Sequence, residues 1–599
     1  SAAAEGPATP PSFSAPLNQR QKAELLLRRI TFGSRPGDVE QVEAMGLNNF
    51  LNQQLHPRTL DDSAVEARLT NIETLAMPAA ELAEDVREAQ RRQKERRLAG
   101  LNQQGAMAAS SAAEAGPLRP GFRRFGVNAG AKMQPESDAA QQEAPPTANE
   151  PAPAMNDTSQ TNGDSFFPPR EILTQLGQEE LLRAVYSRRQ LQEVMVRFWM
   201  NHFNIYWNKG ADRYYLTSFE ENVIRPHALG NFEDLLIATA ESPAMLFYLD
   251  NWMSVAPNQQ SQPALAMRPL RPFGPFGPRP AVFRPFPPAA RNQNKKGKRE
   301  RGLNENYGRE LMELHTIGLH YTQQDVIEAA RCFTGWTIRQ PGQGGGFFFN
   351  PRQHDYGKKV VLGYVIPAGR GIEDGLEVLH ILAMSPYTAE HISYQLCQRF
   401  VADNPPPALV ERAAKTYLKT QGDVPSVLET ILTSPEFYSE GAFQAKVKSP
   451  FEYVASTLRA LNAETDGGPR LLGFIARMGE PMFQYEEPSG YDDTARTWIN
   501  SGALLARMNF AIQLALGRIP GTSVDWQALS REETGLAPRE MMDQLAGQLA
   551  CGRLSAATEK AILSKLAPGD PAEWGDFNSG QQTRMLASLL IASPEFQRR

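Results

Sequence analysis

Three stretches of the chain carry the residue types that proton transfer or metal binding needs. The densest is Asn304-Glu305-Asn306-Tyr307-Gly308-Arg309-Glu310-Leu311-Met312-Glu313-Leu314-His315. At helical pitch Glu305, Asn306, Arg309, Glu310 and Glu313 fall within an arc of about 140°, with Leu303, Tyr307, Met312 and Leu314 opposite. In a shielded site Glu305 or Glu313 would serve as general base, and Arg309 as a clamp for a carboxylate, sulfate or phosphate. His315 projects on the apolar side near the helix end, where a buried imidazole needs a partner or a proton, and would shuttle protons. The plainer alternative is a charged stripe facing water.

The second stretch is Gln190 to Tyr206, where Leu191, Met195, Phe198 and His202 share one helical face. His202 is therefore expected to be buried, either satisfied by a backbone carbonyl or acting as ligand or base. Glu193, Arg197 and Asn201 form the opposite stripe, spaced to pair in steps of four. The third stretch is His354-Asp355 with Lys358 beyond. Neighbours on a strand point to opposite faces, so His354 and Asp355 act together only if a loop converges them on the helix site. The expected pocket joins the Asn304 helix, His202 and the His354 hairpin, flanked by Asn201, Asn304, Asn306, Lys358 and Trp336. Glu, Asp and His donors suit a divalent metal ion with an open position that activates water. Within the Asn304 helix the Glu-x-x-His spacing of di-iron bundles is absent, since Glu313-Leu314-His315 puts its polar groups on different faces. Absent from the chain are a Gly-x-Ser-x-Gly elbow, a Cys beside a His motif and a phosphate-binding loop.

The elements that must position these residues read as mainly α: an irregular multi-helix array with one small β-hairpin and two low-complexity insertions. With 41% hydrophobic and 22% charged residues in 599, a sizeable core can form. A net charge of -5 argues against general nucleic-acid binding, which needs a clustered basic excess. Three cysteines, Cys332, Cys397 and Cys551, without short paired spacing exclude a zinc ribbon or disulfide scaffold. No apolar run is long enough for a spanning helix, so no transmembrane segment is expected. Helices are predicted near 18–30, 36–55 and 80–98, then as one long or broken helix over 173–206, and over 304–317 and 323–334. Gly342 to Val365 predicts the hairpin. The insertions fall at 103–165, rich in Ala, Gln, Pro and Gly, and at 257–301, rich in Pro, Phe and Arg. The second is either a solvated loop or a basic, aromatic arm for an anionic polymer or envelope surface. Ser-Pro corners recur at Ser242, Ser385, Ser434, Ser449 and Ser593, where Ser caps and Pro opens the next helix. The organisation predicted is a flexible tail over 1–17, a large helical domain over 18–462, and a C-terminal helical unit over 463–599.

The Asn304–Thr316 motif, followed by Tyr321-Thr322-Gln323-Gln324-Asp325-Val326 and Thr334-Gly335-Trp336-Thr337, resembles the signature of a bacterial family catalogued as domain of unknown function 1800. The likeness continues through Leu27–Gly33, Phe198–Phe203, His354–Lys358 and Trp498–Ser501, and spans the chain from about Gln19 onward apart from the insertions. Pro488-Ser489-Gly490-Tyr491-Asp492-Asp493 departs from the Trp-containing approach usual in that family, so a wall formed there differs. The resemblance implies a helical fold and export to the periplasm or beyond, with which the Ser1-Ala2-Ala3-Ala4-Glu5 start agrees. It implies no reaction, cofactor or catalytic residue. The expectation is an exported metal-dependent or acid/base enzyme with a Glu/Arg/His pocket. The alternative is a noncatalytic envelope-assembly or anionic-polymer-binding protein whose Glu/Arg/His cluster is a structural salt-bridge network.

Overall fold

Caps decide where many of the helices begin. Asn18 and Gln21, Thr322 and Asp325, and Ser449 and Glu452 each exchange side-chain and backbone bonds in reciprocal capping boxes, satisfying two otherwise orphaned N–H groups apiece. Ser385 also caps through its hydroxyl, whereas Ser242 makes no such bond. Ser434 and Ser593 turn tight corners instead: their hydroxyls accept from the N–H groups of Phe437 and Phe596, and both rings are buried.

The computed structural model describes residues 13–114, 166–257, 302–530, 537–549, 554–566 and 579–599. The basic arm expected over 257–301 falls outside the described residues from 258 on, as do the 103–165 insertion beyond Glu114 and Cys551. The protein is mainly helical, with small two-stranded sheets. Two compact units divide it, one formed by Ser1–Val86 with Pro168–Arg599, the other by Arg87–Phe167. In the smaller unit the helix continues to Glu114, past the predicted end near Leu98, with Glu88 paired to Arg91 and Arg92 on its surface.

In the larger unit the predicted stretch 36–55 is two helices, Asp38–Met45 and Leu47–Leu55, parted at Gly46 with φ 88°. The stretch 173–206 is likewise broken, into Pro169–Tyr186 and Gln190–His202. Ser187 stops the first helix, and its hydroxyl donates to Asp62 at 2.7 Å. Trp199 is fully buried, and its indole N–H donates to the Ala228 carbonyl at 3.0 Å. The helix Glu305–Glu313 lies against Gln323–Cys332 through Gly308, where a Cβ would come 3.1 Å from the Val326 carbonyl.

The single predicted hairpin resolves into more than one pairing. Phe347–Phe349 pairs backward with Trp336–Ile338, while Lys359–Val361 pairs with Tyr364–Ile366, both antiparallel. The first pair closes through a loop in which a Cβ on Gly345 would overlap the Arg339 carbonyl at 1.7 Å. The second closes through Leu362 and Gly363, φ 50° and 82°, as a two-residue hairpin turn with both φ values positive. Leu362 is costly there, and its N–H is held by Asp325 at 2.7 Å. A third pair joins Glu464–Thr465 to Thr522–Ser523.

Candidate active site

Buried charge gathers on three elements of the larger unit. The helix Pro169–Tyr186 turns Glu179 and Glu180 inward among leucines, and Gln190–His202 adds Glu193 and Arg197. The π-turn Glu220–Ile224, followed by Arg225, adds Glu220 and Glu221. A widened turn of this kind redirects side chains that an α-helix would spread. Arg225 meets Glu193 and Glu220 at 2.7 Å, Glu179 at 2.9 Å and Glu221 at 3.0 Å. Arg183 binds Glu179 as well, and reaches Glu66 at 2.6 Å. A buried Glu/Arg cluster is thus present. Burial, only partly offset by the arginines, holds Glu179 above the usual carboxylate range, and burial with repulsion from Glu179 and Glu180 holds Glu220 well above it. Among the described residues, Glu179, Glu220 and Glu221 form a group whose ligand oxygens lie within 4.8 Å of one another, but Arg225 already bonds to an oxygen of each.

Arg197 belongs to a second cluster. It donates to Glu180 at 2.6 Å and to Glu480, and its guanidinium lies 3.8 Å from the Phe451 ring centroid. Glu480 also accepts from the Phe451 N–H at 2.8 Å. A void of about 10 Å³, lined in part by Glu180, Glu193, Arg197 and Glu220, separates the two clusters and has room for about one water. On its other side the second cluster opens on a cavity of about 400 Å³. Within its wall Arg399 pairs with Glu452 at 2.6 Å and with Asp493 at 3.6 Å. Arg599 pairs with Glu452 at 3.3 Å, and Lys446 with Asp493 at 3.3 Å. Burial alone would raise Glu452, but Arg399, Arg599 and the Ser449 N–H bring it down to about 2. Burial dominates at Glu180, against the pull of Arg197, and raises it to about 7.

One wall of the cavity is the irregular segment 481–493, tied down by two asparagines. Asn201 and Tyr491 exchange bonds, with Nδ2 donating to the Tyr491 carbonyl at 2.9 Å and Oδ1 accepting from the Tyr491 N–H at 2.8 Å. Asn204 donates to the carbonyls of Tyr485 and Glu487 at 3.1 and 2.7 Å. Gly490, φ 66°, passes so close to Asn201 that a Cβ would come 2.2 Å from its carbonyl, so only glycine fits. Phe483 is held at φ 58°, a strained conformation for a bulky residue. Tyr485, Tyr491 and Trp498 form a run of rings with centroids 4.4 and 5.4 Å apart.

Three imidazoles meet at the cavity, two of them, His202 and His391, in its lining. His202 lies 6.0 Å from His315 and 6.3 Å from His391 between ring centroids. Its Nε2 is 3.2 Å from the His315 carbonyl, and an acceptor there requires Nε2 to carry the proton. His391 approaches the Leu314 carbonyl at 3.3 Å and Gln395 at 3.2 Å. Burial lowers all three, His202 well below the usual range and His315 to about 3, so the rings are neutral at physiological pH.

Of the residues singled out in the sequence, Arg197, Asn201 and His202 line the cavity and His315 stands against His202. The others lie elsewhere. Asn304 caps its helix, accepting from Asn306 N–H at 2.9 Å, and its amide donates to the Leu249 carbonyl at 2.8 Å; Asn306 is exposed. Glu305 and Arg309 are half-buried and linked through Gln323. Glu313 accepts from the Tyr321 hydroxyl, and burial raises Glu310. His354 is buried in another group, with Nδ1 at 2.8 Å from the Thr334 carbonyl and Nε2 at 3.2 Å from Asp374, which also binds Lys359 at 2.5 Å. Asp355 pairs with Arg331 at 2.8 Å, Lys358 is exposed, and Trp336 is core. The cavity residues that sequence reasoning missed include Glu180, His391, Arg399, Glu452 and Glu480, whereas the Pro488–Asp493 segment noted in the sequence does supply part of the wall. A Glu179-Glu180 doublet inside an otherwise leucine-rich helix is a local signal that could have found Glu180.

No curated protein and no solved structure matches the chain. The family model described as Protein of unknown function (DUF1800) matches residues 25–598.

Proposed function

We propose that this chain, which belongs to the family described as Protein of unknown function (DUF1800), is an acid/base enzyme whose reaction centre is the cavity walled by Glu180, Arg197, Arg399 and Glu452. The carrying observation is Glu180: one carboxyl oxygen is fixed by Arg197 at 2.6 Å, while the other is buried without a hydrogen-bond partner in a residue that lines the cavity. A carboxyl placed in this way and poised near neutrality can give a proton to a leaving group and take one from water or a hydroxyl. Glu452, held ionised by Arg399 and Arg599, stabilises positive charge that develops nearby. Two carboxyls whose surroundings push their proton affinities apart divide acid and anion roles in this manner. Arg197 and Glu480 position Glu180, and neutral His202 lines the same cavity. Metal chemistry at Glu179, Glu220 and Glu221 has weaker support, because a cation there would have to displace Arg225.

The test is turnover. Purified protein is assayed against a panel of chromogenic glycosides, esters and phosphates, beside Glu180→Gln and Glu452→Gln. Turnover in the unmodified chain that Glu180→Gln abolishes, with the fold intact by circular dichroism, supports the reading. Turnover that survives Glu180→Gln, or none on any compound, overturns it. For the Arg225 cluster a different reading is favoured: its side chains bond to one another, and Glu193 and Glu220 border a void of about 10 Å³, which suits a structural network.

A further inference from the structure

The 400 Å³ cavity has a chemistry that selects its occupant. Five buried polar atoms on residues that line it have no hydrogen-bond partner: Glu180 Oε1, Gln395 Oε1, Asp493 Oδ2, Arg399 Nε and Trp498 Nε1. Buried polar groups are rarely left unpaired, because each costs about 1–3 kcal/mol. Gln395, Arg399, Asp493 and Trp498, which carry four of these atoms, line the cavity beside Asn201, Gln398 and Ser489, so its wall is built of side chains with both donors and acceptors. The set mixes acceptors, two carboxylates and an amide carbonyl, with donors, an indole N–H and a guanidinium N–H. Carboxyl groups outnumber guanidinium groups around the cavity, and the imidazoles are neutral, so an anion is repelled. A ligand that meets both donors and acceptors without net negative charge is one with several hydroxyl groups, each able to donate and accept at once. The ring run Tyr485, Tyr491 and Trp498 adds an apolar wall on which a C–H face can lie.

We propose that the cavity binds a neutral polyhydroxylated ring, a monosaccharide unit free or at the end of a chain, with its C–H face on Tyr491 and Trp498 and its hydroxyls on Gln395, Arg399 and Asp493. A volume of about 400 Å³ is at the small end of ligand pockets, which suits one ring with water better than an extended oligomer. The assignment rests on the cavity being the working site, as argued above.

The experiment measures binding by the full chain to glucose, galactose and N-acetylglucosamine, with glucuronate, inorganic phosphate and spermidine as charged comparators, by saturation-transfer NMR and by thermal shift. Binding of at least one neutral sugar is expected, weakened by about tenfold in Gln395→Leu, the loss of roughly one buried hydrogen bond. Trp498→Phe keeps the ring face and removes the N–H, and should weaken binding by a similar factor with an unchanged melting temperature in the absence of sugar. No binding of any neutral sugar, stronger binding of glucuronate, phosphate or spermidine, or sugar binding unaffected by both variants overturns the assignment. The outcomes separate from those of the enzyme reading. Sugar binding without turnover leaves the ligand class standing and removes the acid/base role. Glu180-dependent turnover of a non-sugar ester or phosphate, without sugar binding, does the reverse.

Discussion

The two buried Glu/Arg clusters are built from the same residue types on adjoining helices, yet they differ in what they do with them. Around Arg225 the guanidinium faces four carboxylates within 3.0 Å, and the adjoining void is the size of one water. Around Arg197 and Arg399 the ion pairs stop at a 400 Å³ cavity whose lining keeps unpaired polar atoms. Buried ion pairs contribute little net stability, since desolvation offsets the attraction, but removing one partner is expensive. A cluster that closes on itself fixes how helices pack. Each cluster keeps carboxyl oxygens without a hydrogen-bond partner, Glu179 Oε2 and Glu220 Oε2 in the closed one and Glu180 Oε1 in the other, but the residues of the second border a cavity of ligand size, and a group beside such a space is what a substrate can use.

The largest effect should come from breaking the closed cluster. Arg225→Met strands Glu179, Glu193 and Glu220 without their shared cation, and stability by urea unfolding should fall by about 3–5 kcal/mol or the chain should fail to accumulate as folded protein. A loss under 1 kcal/mol would mean that the glutamates are protonated and the network is not holding the helices. Next in size is Glu452→Gln. Its carboxyl is depressed to about 2 in the folded chain, so its stabilisation is present above pH 4.5 and is lost as pH falls through the folded value. At pH 7 the substitution should cost about 3 kcal/mol, and the gap from the unmodified protein should narrow as pH falls from 5 toward 3. A pH-independent gap would assign the loss to packing.

Glu180→Gln should move stability the other way. Because its folded proton affinity is raised to about 7, the folded chain binds more protons than the unfolded chain between pH 4.5 and 7. That contribution is complete below pH 4.5 and disappears as pH rises through 7. A neutral isostere escapes the penalty of holding a buried charge, so above pH 7 Glu180→Gln should be more stable by about 1–3 kcal/mol while losing turnover. Equal stability at pH 8 would show that Arg197 compensates the charge fully, and the distinction between the clusters would narrow.

How far the sequence disclosed this arrangement depends on whether the signal was local. Helical class, the burial of His202 on the Leu191, Met195 and Phe198 face, and the Ser449 cap are consequences of residues within a few turns, and they were legible. Glu193, Arg197 and Asn201 looked like a ladder of i,i+4 pairs, but Arg197 takes Glu180 and Glu480 while Glu193 takes Arg225. Those partners are remote in sequence, and spacing carries no information about them. The π-turn that gathers Glu220, Glu221 and Arg225 has no periodic signature either. Strand pairing failed similarly, because the Phe347–Phe349 run had two neighbours to choose from and the glycine loop decided for Trp336–Ile338. The expected meeting of His202 with His354 and the Asn304 helix face is not what the chain builds: only His315, from the helix end, reaches His202.

The smallest effect should fall on the residues that looked most chemical. Glu305 and Arg309 lie 3.6 Å apart with side chains more than a third exposed, and both bond to Gln323. An exposed pair of this kind exchanges a protein partner for water at little cost, and i,i+4 pairs measure about 0.3–0.5 kcal/mol. Glu305→Gln should therefore change unfolding free energy by less than about 0.5 kcal/mol and leave turnover and sugar binding where they were. If it abolished either, the working surface would extend from the cavity to this helix, and the distinction between unpaired buried atoms and solvated ones would lose its force as a guide to the site. The motif's density of charge would then be functional in its own right, by a contact that the isolated chain does not make.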